Sequence, residues 1–186
     1  EKMLQNERID LIIDSYDTTD DRFEYTALSA EKILLAVPAA LPCNADSQEL
    51  FAQTDDLYYG RIKAEQLPQI DLSRFQGEKF ILLKTGNNMY QHAKCAFDAC
   101  AFQPNVAFRL DQLSTSFRLT ASGNGLCFVP DIMFKTHLYN EDVVFYHIKG
   151  AGSRTLYAVN SHSNHTTTAV QKFKTVAWSV MQQISQ

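Results

Sequence analysis

Glu31-Lys32-Ile33-Leu34-Leu35-Ala36-Val37-Pro38 is the stretch on which the fold turns. Its five apolar residues stand in an unbroken run, bounded by charge on one side and proline on the other. The run is too short for a core helix and lacks the alternation of a half-exposed strand, so it reads as a strand buried on both faces. Working outward, Leu11-Ile12-Ile13 precedes it, and Phe80-Ile81-Leu82-Leu83, Leu126-Cys127-Phe128-Val129, Val143 to Ile148 and Thr155 to Val159 follow. All are short apolar runs of the same kind. Helices fall between and after them. Asn87 or Asn88 caps one that buries Met89, Ala93, Ala96, Phe97 and Cys100, with Pro104 just past its end. Ser114 or Thr115 caps a second that holds Phe117, Leu119 and Ala121 and stops at Gly123. Thr166 to Thr168 open a third, whose apolar stripe is Val170, Phe173, Ala177, Val180, Met181 and Ile184, with Trp178 beside it. Short strands interleaved with helices make an α/β fold rather than a sandwich. Cys43 to Gln69 is a polar, charged insert, partly helical through Leu50, Phe51 and Leu57.

Composition narrows the function classes. The chain has 186 residues, 45% of them hydrophobic, and a formal net charge of −4. That length fits one domain or two small lobes, and the charge leaves no broad basic surface with which to grip duplex DNA. No apolar run approaches the roughly 20 residues that span a bilayer, and Glu1 to Glu7 lack the apolar core of a signal peptide. Cys43, Cys95, Cys100 and Cys127 are too few and scattered for a disulfide scaffold. Asn164-His165-Thr166 matches a glycosylation sequon but carries little weight without a secretion signal. These features together predict a reduced, cytoplasmic protein with no membrane partner.

Catalytic and metal readings find little support. His92, His137, His147, His162 and His165 make no metal pattern, since His162-x-x-His165 is too tight for a helical i,i+4 pair and has no Cys or Glu nearby. Asp14, Asp17, Asp20 and Asp21 miss the calcium-loop spacing. No G-x-S-x-G or P-loop occurs, and Gly123-x-Gly125 is too short for a dinucleotide fingerprint. The sequence therefore predicts no catalytic set, no metal and no cofactor. Two loops have the form of a binding site instead. Lys84-Thr85-Gly86-Asn87-Asn88 and Gln112-Leu113-Ser114-Thr115-Ser116 each follow or precede a predicted element and open a helix, offering free backbone N–H groups beside hydroxyls or amides. Thr85, Gly86, Asn87, Ser114 and Thr115 are the candidate ligand contacts, with Gly125 to Pro130 as a third wall. Their bland alternative is that they are caps and turn residues only.

Several segments also fall in a familiar order. Glu7-Arg8-Ile9-Asp10-Leu11-Ile12-Ile13, Glu31 to Pro38, Ile70-Asp71-Leu72 followed by Phe80 to Leu83, Cys100-Ala101-Phe102-Gln103-Pro104-Asn105-Val106, and Ala121-Ser122-Gly123-Asn124-Gly125-Leu126-Cys127-Phe128-Val129-Pro130 resemble the successive signature segments of LysR-type effector domains. Glu7 and Ala101 stand where that family commonly has glycine, and the Cys43 to Gln69 insert is longer than usual. The resemblance implies a two-lobed fold like a type 2 periplasmic binding protein, with two crossover strands. Residues 1–37 and 156–186 would form one lobe, lacking its first strand–helix units, and residues 38–155 the other. It further implies a small-molecule effector in the cleft, where the N–H groups of the two loops suit a carboxylate or phosphate, DNA contact only through an absent N-terminal winged helix-turn-helix, and a homodimer or tetramer to which the helix from Asn88 to Phe102 contributes. One branch of the family senses peroxide with a cysteine pair, but Cys95 and Cys100 lie five apart on one helix and face different directions. They read as buried thiols. An extracytoplasmic solute-binding protein of the same fold is the alternative, separable by what lies upstream of Glu1; an enzyme would need an acid, base or nucleophile set that is not found. In a gel-shift assay at physiological salt, this acidic chain alone is expected to show no sequence-selective, submicromolar binding to duplex DNA.

Overall fold

The computed structural model describes residues 2–6, 8–16, 19–45, 48–133, 139–162 and 167–185. Glu7 of the first signature segment, Asp17 of the acidic loop, His137, the sequon at Asn164-His165-Thr166 and the helix opening at Thr166 lie outside them. In chain order the elements are α1 (Lys2–Gln5), β1 (Ile12–Ser15), β2 (Phe23–Pro38), β3 (Phe51–Gln53), α2 (Thr54–Tyr58), β4 (Gln69–Ile70), β5 (Lys79–Leu83), α3 (Asn88–Ala99), β6 (Asn105–Leu110), α4 (Leu113–Ala121), β7 (Cys127–Pro130), β8 (Val143–Ile148), β9 (Ser153–Ser161) and α5 (Thr168–Ser185). The fold is mixed α/β. It divides into two compact units, Glu1–Glu31 with Ser153–Gln186, and Lys32–Gly152. The chain thus passes between them twice. The first passage lies inside β2.

The larger unit is built on residues 33–37, all completely removed from water. β7 pairs antiparallel along one stretch of this strand (Ile33↔Pro130 to Ala36↔Cys127), and β8 along another (Leu35↔Tyr146 to Pro38↔Val143). β3 and β4 then pair with β8. Successive strand side chains point to opposite faces, so the run feeds two cores. Ile33, Leu35 and Val37 join Phe80, Met89, Ala93, Ala96, Phe97 and Phe128. Leu34 and Ala36 join Ile81, Phe117, Cys127, Val129 and Phe145. α3 therefore covers one face and α4 the other. At roughly 1.5–3 kcal/mol for each buried aliphatic side chain, Ile33, Leu34, Leu35 and Val37 together contribute about 6–12 kcal/mol of burial. The turn from β8 to β9 fits tightly on α3. A Cβ at Gly150 would lie 2.4 Å from Ala99 Cβ and 3.0 Å from the Cys95 carbonyl, and its φ is +81°. Beside it, Nδ1 of His92 is 2.9 Å from the Ala151 carbonyl oxygen, a contact that holds as a hydrogen bond when that nitrogen carries the proton.

In the smaller unit, β1 pairs antiparallel with β9 (Ile12↔Val159 to Ser15↔Leu156), and β9 neighbours β2. Leu4, Phe23 and Val159 are buried together beneath Tyr16, Tyr25 and Tyr157, whose rings meet edge to face at 5.4 and 5.9 Å. α5 departs from its predicted stripe. Val170 is buried and Ala177, Met181 and Ile184 are half-buried, but Phe173 and Val180 are 48% and 45% exposed. Lys174 takes a place on the buried face, because its ammonium lies 3.3 Å from Glu24, which also accepts from Asn160 Nδ2 at 3.1 Å. These two partners hold the Glu24 carboxyl below its ordinary pKa, the Asn160 hydrogen bond foremost. Counting apolar residues alone could not anticipate a lysine drawn inward by a carboxylate.

Where the chain leaves this unit, Arg154 Nε meets Glu31 Oε2 at 2.5 Å, with side chains 17% and 2% exposed. Breaking a buried pair from one side strands the other charge and costs about 3–5 kcal/mol. Arg154→Ala is therefore expected to destabilise the chain by about that much in urea melts, and the apolar double variant Glu31→Leu/Arg154→Met to recover most of it. A loss no larger than that of an ordinary surface substitution in the single variant would contradict this.

Candidate functional site

β5 and β6 run parallel, from Lys79↔Asn105 to Leu83↔Leu110. Parallel strands end together, so the loops leaving their carboxyl ends must also be neighbours. The Lys84 N–H donates to the Leu110 carbonyl at 2.9 Å, and Lys84 Nζ reaches Asp111 Oδ2 at 2.7 Å. Thr85, Gly86 and Asn87 are thereby brought to the same end of the strand pair as Ser114 and Thr115. Gly86 has φ +96° with open space around it, a left-handed conformation that glycine adopts without penalty. Asn87 is the true N-cap of α3, its Oδ1 accepting from the Met89 N–H at 2.9 Å.

α4 begins differently from the expectation. Its N-cap is Gln112, whose side chain makes no cap hydrogen bond. Ser114 and Thr115 instead lie in the first turn, both exposed, with Thr115 Oγ1 donating to Gln112 Oε1 at 3.3 Å. No side chain of the described residues caps the first N–H groups of α4, which open at the same end of the strand pair as the first turn of α3. Such groups carry the positive end of the helix dipole. Asn88 Oδ1, buried and without a partner among the described residues, adds an acceptor that the sequence reading missed. No hydropathy pattern marks such an atom. Beneath this end the packing leaves a void of only about 10 Å³ between Leu83, Met89, Ser116 and Phe128. Any occupant therefore rests on the surface rather than inside the core. The Lys84 ammonium is engaged by Asp111.

Gly125 does not join this group. Leu126 exchanges backbone hydrogen bonds of 2.8 Å with Lys79 and Ile81, which puts Gly125 at the opposite end of β5, roughly 13 Å away at ~3.3 Å per residue. A Cβ there would meet the Lys79 carbonyl oxygen at 2.8 Å. Its role is close packing, and it lines a separate cavity of about 530 Å³ with Lys79, Asn105 and Phe108.

The remaining candidates are also placed. Cys95 is exposed and Cys100 half-buried, correcting the reading of both as buried thiols; neither forms a disulfide. Burial raises the Cys100 and Cys43 thiols above their usual range and pushes that of Cys127 up to about 11. His147 is buried in β8 between the Leu67 carbonyl and Gln69 Nε2, both 3.3 Å away. An amide nitrogen only donates, so the Nδ1–H tautomer satisfies both. No group of three or more His, Cys, Asp or Glu able to hold a metal is found among the described residues, and no described helix is long and apolar enough to cross a membrane.

The comparisons bear on this geometry. The profile described as LysR substrate binding domain matches residues 1–182. A Bacillus subtilis HTH-type transcriptional regulator, YcgK, is 29% identical over 180 residues, which is 93% of this chain and 52% of that protein. The chain thus spans about half the length of this curated relative. Among solved structures, the Synechocystis CcmR regulatory domain in complex with 2-PG superposes with a TM-score of 0.73 at 15% identity, covering 97% of this chain and 77% of that one. The effector binding domain of QuiR in complex with shikimate gives 0.67 at 17% identity, covering 98% and 76%. The C-terminal domain of a LysR family regulator from Rhodococcus sp. RHA1 gives 0.70 at 14% identity, covering 95% and 77%. These likenesses establish the periplasmic-binding-protein-like α/β fold.

The two helix starts differ in a measurable way. Asn87→Ala removes a real cap and is expected to cost about 1 kcal/mol of stability, within a range of roughly 0.5–2. Gln112→Ala removes no cap hydrogen bond and should leave the denaturation midpoint essentially unchanged. Equal effects from the two would show that the caps are assigned wrongly.

Proposed function

The chain belongs to the LysR substrate-binding domain family, and from that membership we propose that it senses a small anionic metabolite at the adjoining N-termini of α3 and α4. The observation that carries this reading is the uncapped start of α4 lying beside the start of α3 at the carboxyl ends of two parallel strands. Backbone N–H groups and the helix dipole favour a carboxylate or phosphate there. Thr85, Gly86, Asn87, Ser114 and Thr115 are its contacts. The neighbours solved with 2-PG and with shikimate support an anionic ligand of metabolite size. A reversible sensor works with a dissociation constant of about micromolar to millimolar, roughly −8 to −4 kcal/mol.

In this reading the chain is the effector-sensing part of a cytoplasmic regulator and performs no catalysis. DNA is contacted through a helix-turn-helix outside the residues given, and two or four copies assemble. The ligand acts by favouring one of two conformations, and shifts their balance only by its differential affinity.

Thermal-shift screening of anionic, neutral and cationic metabolites is the test. Anionic compounds are expected to stabilise the protein, and Thr85→Ala or Thr115→Ala to weaken the best of them by about 1–3 kcal/mol in titration calorimetry, the cost of an unpaired polar partner. Hits confined to neutral or cationic compounds, or unchanged binding by both variants, would refute the assignment.

A further inference from the structure

α2 and the segment before β8 put three tyrosines together on the surface. Thr54 is 1% exposed and its hydroxyl donates to the Asn140 and Val143 carbonyls, at 2.5 and 3.2 Å. Leu57 is buried in the second core. With Thr54 and Leu57 pointing inward, Tyr58 and Tyr59 are turned out to water. Tyr58 meets Tyr59 and Tyr139 edge to face, with ring centroids 5.0 and 5.2 Å apart. The three rings remain 42%, 63% and 42% exposed. The Tyr139 hydroxyl donates to Asp55 and, at 3.1 Å, to Glu141, and these carboxylates hold its phenol above its ordinary pKa.

Three anchored aromatic rings left in water have the makeup of a protein-binding hot spot, since tyrosine offers a large contact area at little conformational cost. Charge selects the partner. Residues 48–65 and 139–142 hold six carboxylates, Glu49, Asp55, Asp56, Glu65, Glu141 and Asp142, against Arg61 and Lys63. These two segments therefore carry a local net charge of −4. Nucleic acid and acidic peptides are repelled there. The patch already displays the contact that it suits. The Arg61 guanidinium lies 5.2 Å from the Tyr59 ring centroid, with Nη1 3.9 Å from Asp56, a cation held between an aromatic face and a carboxylate.

We infer that the Tyr58–Tyr59–Tyr139 surface docks an arginine-bearing polypeptide segment, whose guanidinium groups lie over the rings and pair with Asp55, Asp56 and Glu141. This surface shares no residue with the proposed metabolite site.

The test is an amide-resolved NMR titration of the chain with a synthetic peptide of three arginines spaced by Gly-Ser, alongside a glutamate counterpart. The arginine peptide should perturb residues 55–61 and 139–142, and the glutamate peptide should not. Tyr59→Ser and Tyr139→Ser keep every charge and are expected to weaken binding about threefold to tenfold, the scale of one exposed cation–π contact or two. Tyr59→Phe should retain it, and Arg61→Ser, which clears the ring face, should strengthen it. Signal changes spread over acidic residues elsewhere, equal binding by the serine variants, or preferential binding of duplex DNA at these residues would each overturn the inference.

Discussion

Residues 33–37 are shut off from water entirely, and a buried backbone must find all its hydrogen-bond partners within the protein. Much of the larger unit follows from that constraint. β7 and β8 are needed to pair the strand, and β8 in turn takes β3 and β4. Since the strand is apolar on both faces, a helix must cover each. α3 and α4 do so through Met89, Ala93, Ala96 and Phe97 on one face and Phe117 on the other. The helices thus stand where they do because of a strand that neither precedes nor follows them directly.

The same packing decides where chemistry can occur. α3 follows β5 and α4 follows β6, and the two strands are parallel, so both helices begin at one end of the unit. Their donors collect there, and Lys84 beside them is paired with Asp111. Recognition at such a place rests on backbone dipoles, which no side-chain motif announces.

That contrast explains what was legible in the sequence. Unbroken apolar runs such as 33–37 and Phe80 to Leu83 were readable, as was α3, where Asn87 caps and Met89, Ala93, Ala96 and Phe97 follow a helical period. β6 was missed because most of its residues are exposed, and a strand buried on neither face has no hydropathy signature. The first half of β2 was missed for a related reason, its polar and apolar residues reflecting mixed exposure. β3 lies in an insert read as polar, although Phe51 and Ala52 are buried. At the candidate site, the loops at 85–87 and 114–115 could be named, but the cap of α4 was put two or three residues late. Gly125 was grouped with them because glycine in a loop signals either ligand access or tight packing, and only the contact with Lys79 distinguishes the two.

The turn at Gly150 sits against the C-terminal half of α3 with less room than one methyl group, and His92 on the preceding turn of that helix lies against the Ala151 carbonyl. One end of α3 carries Asn87; its flank carries the residues through which the chain leaves for β9. A contact with no slack transmits displacement rather than absorbing it. α3 is therefore geared to the exit of the chain: a shift of the helix along its axis has no free space to take up at residues 150–152.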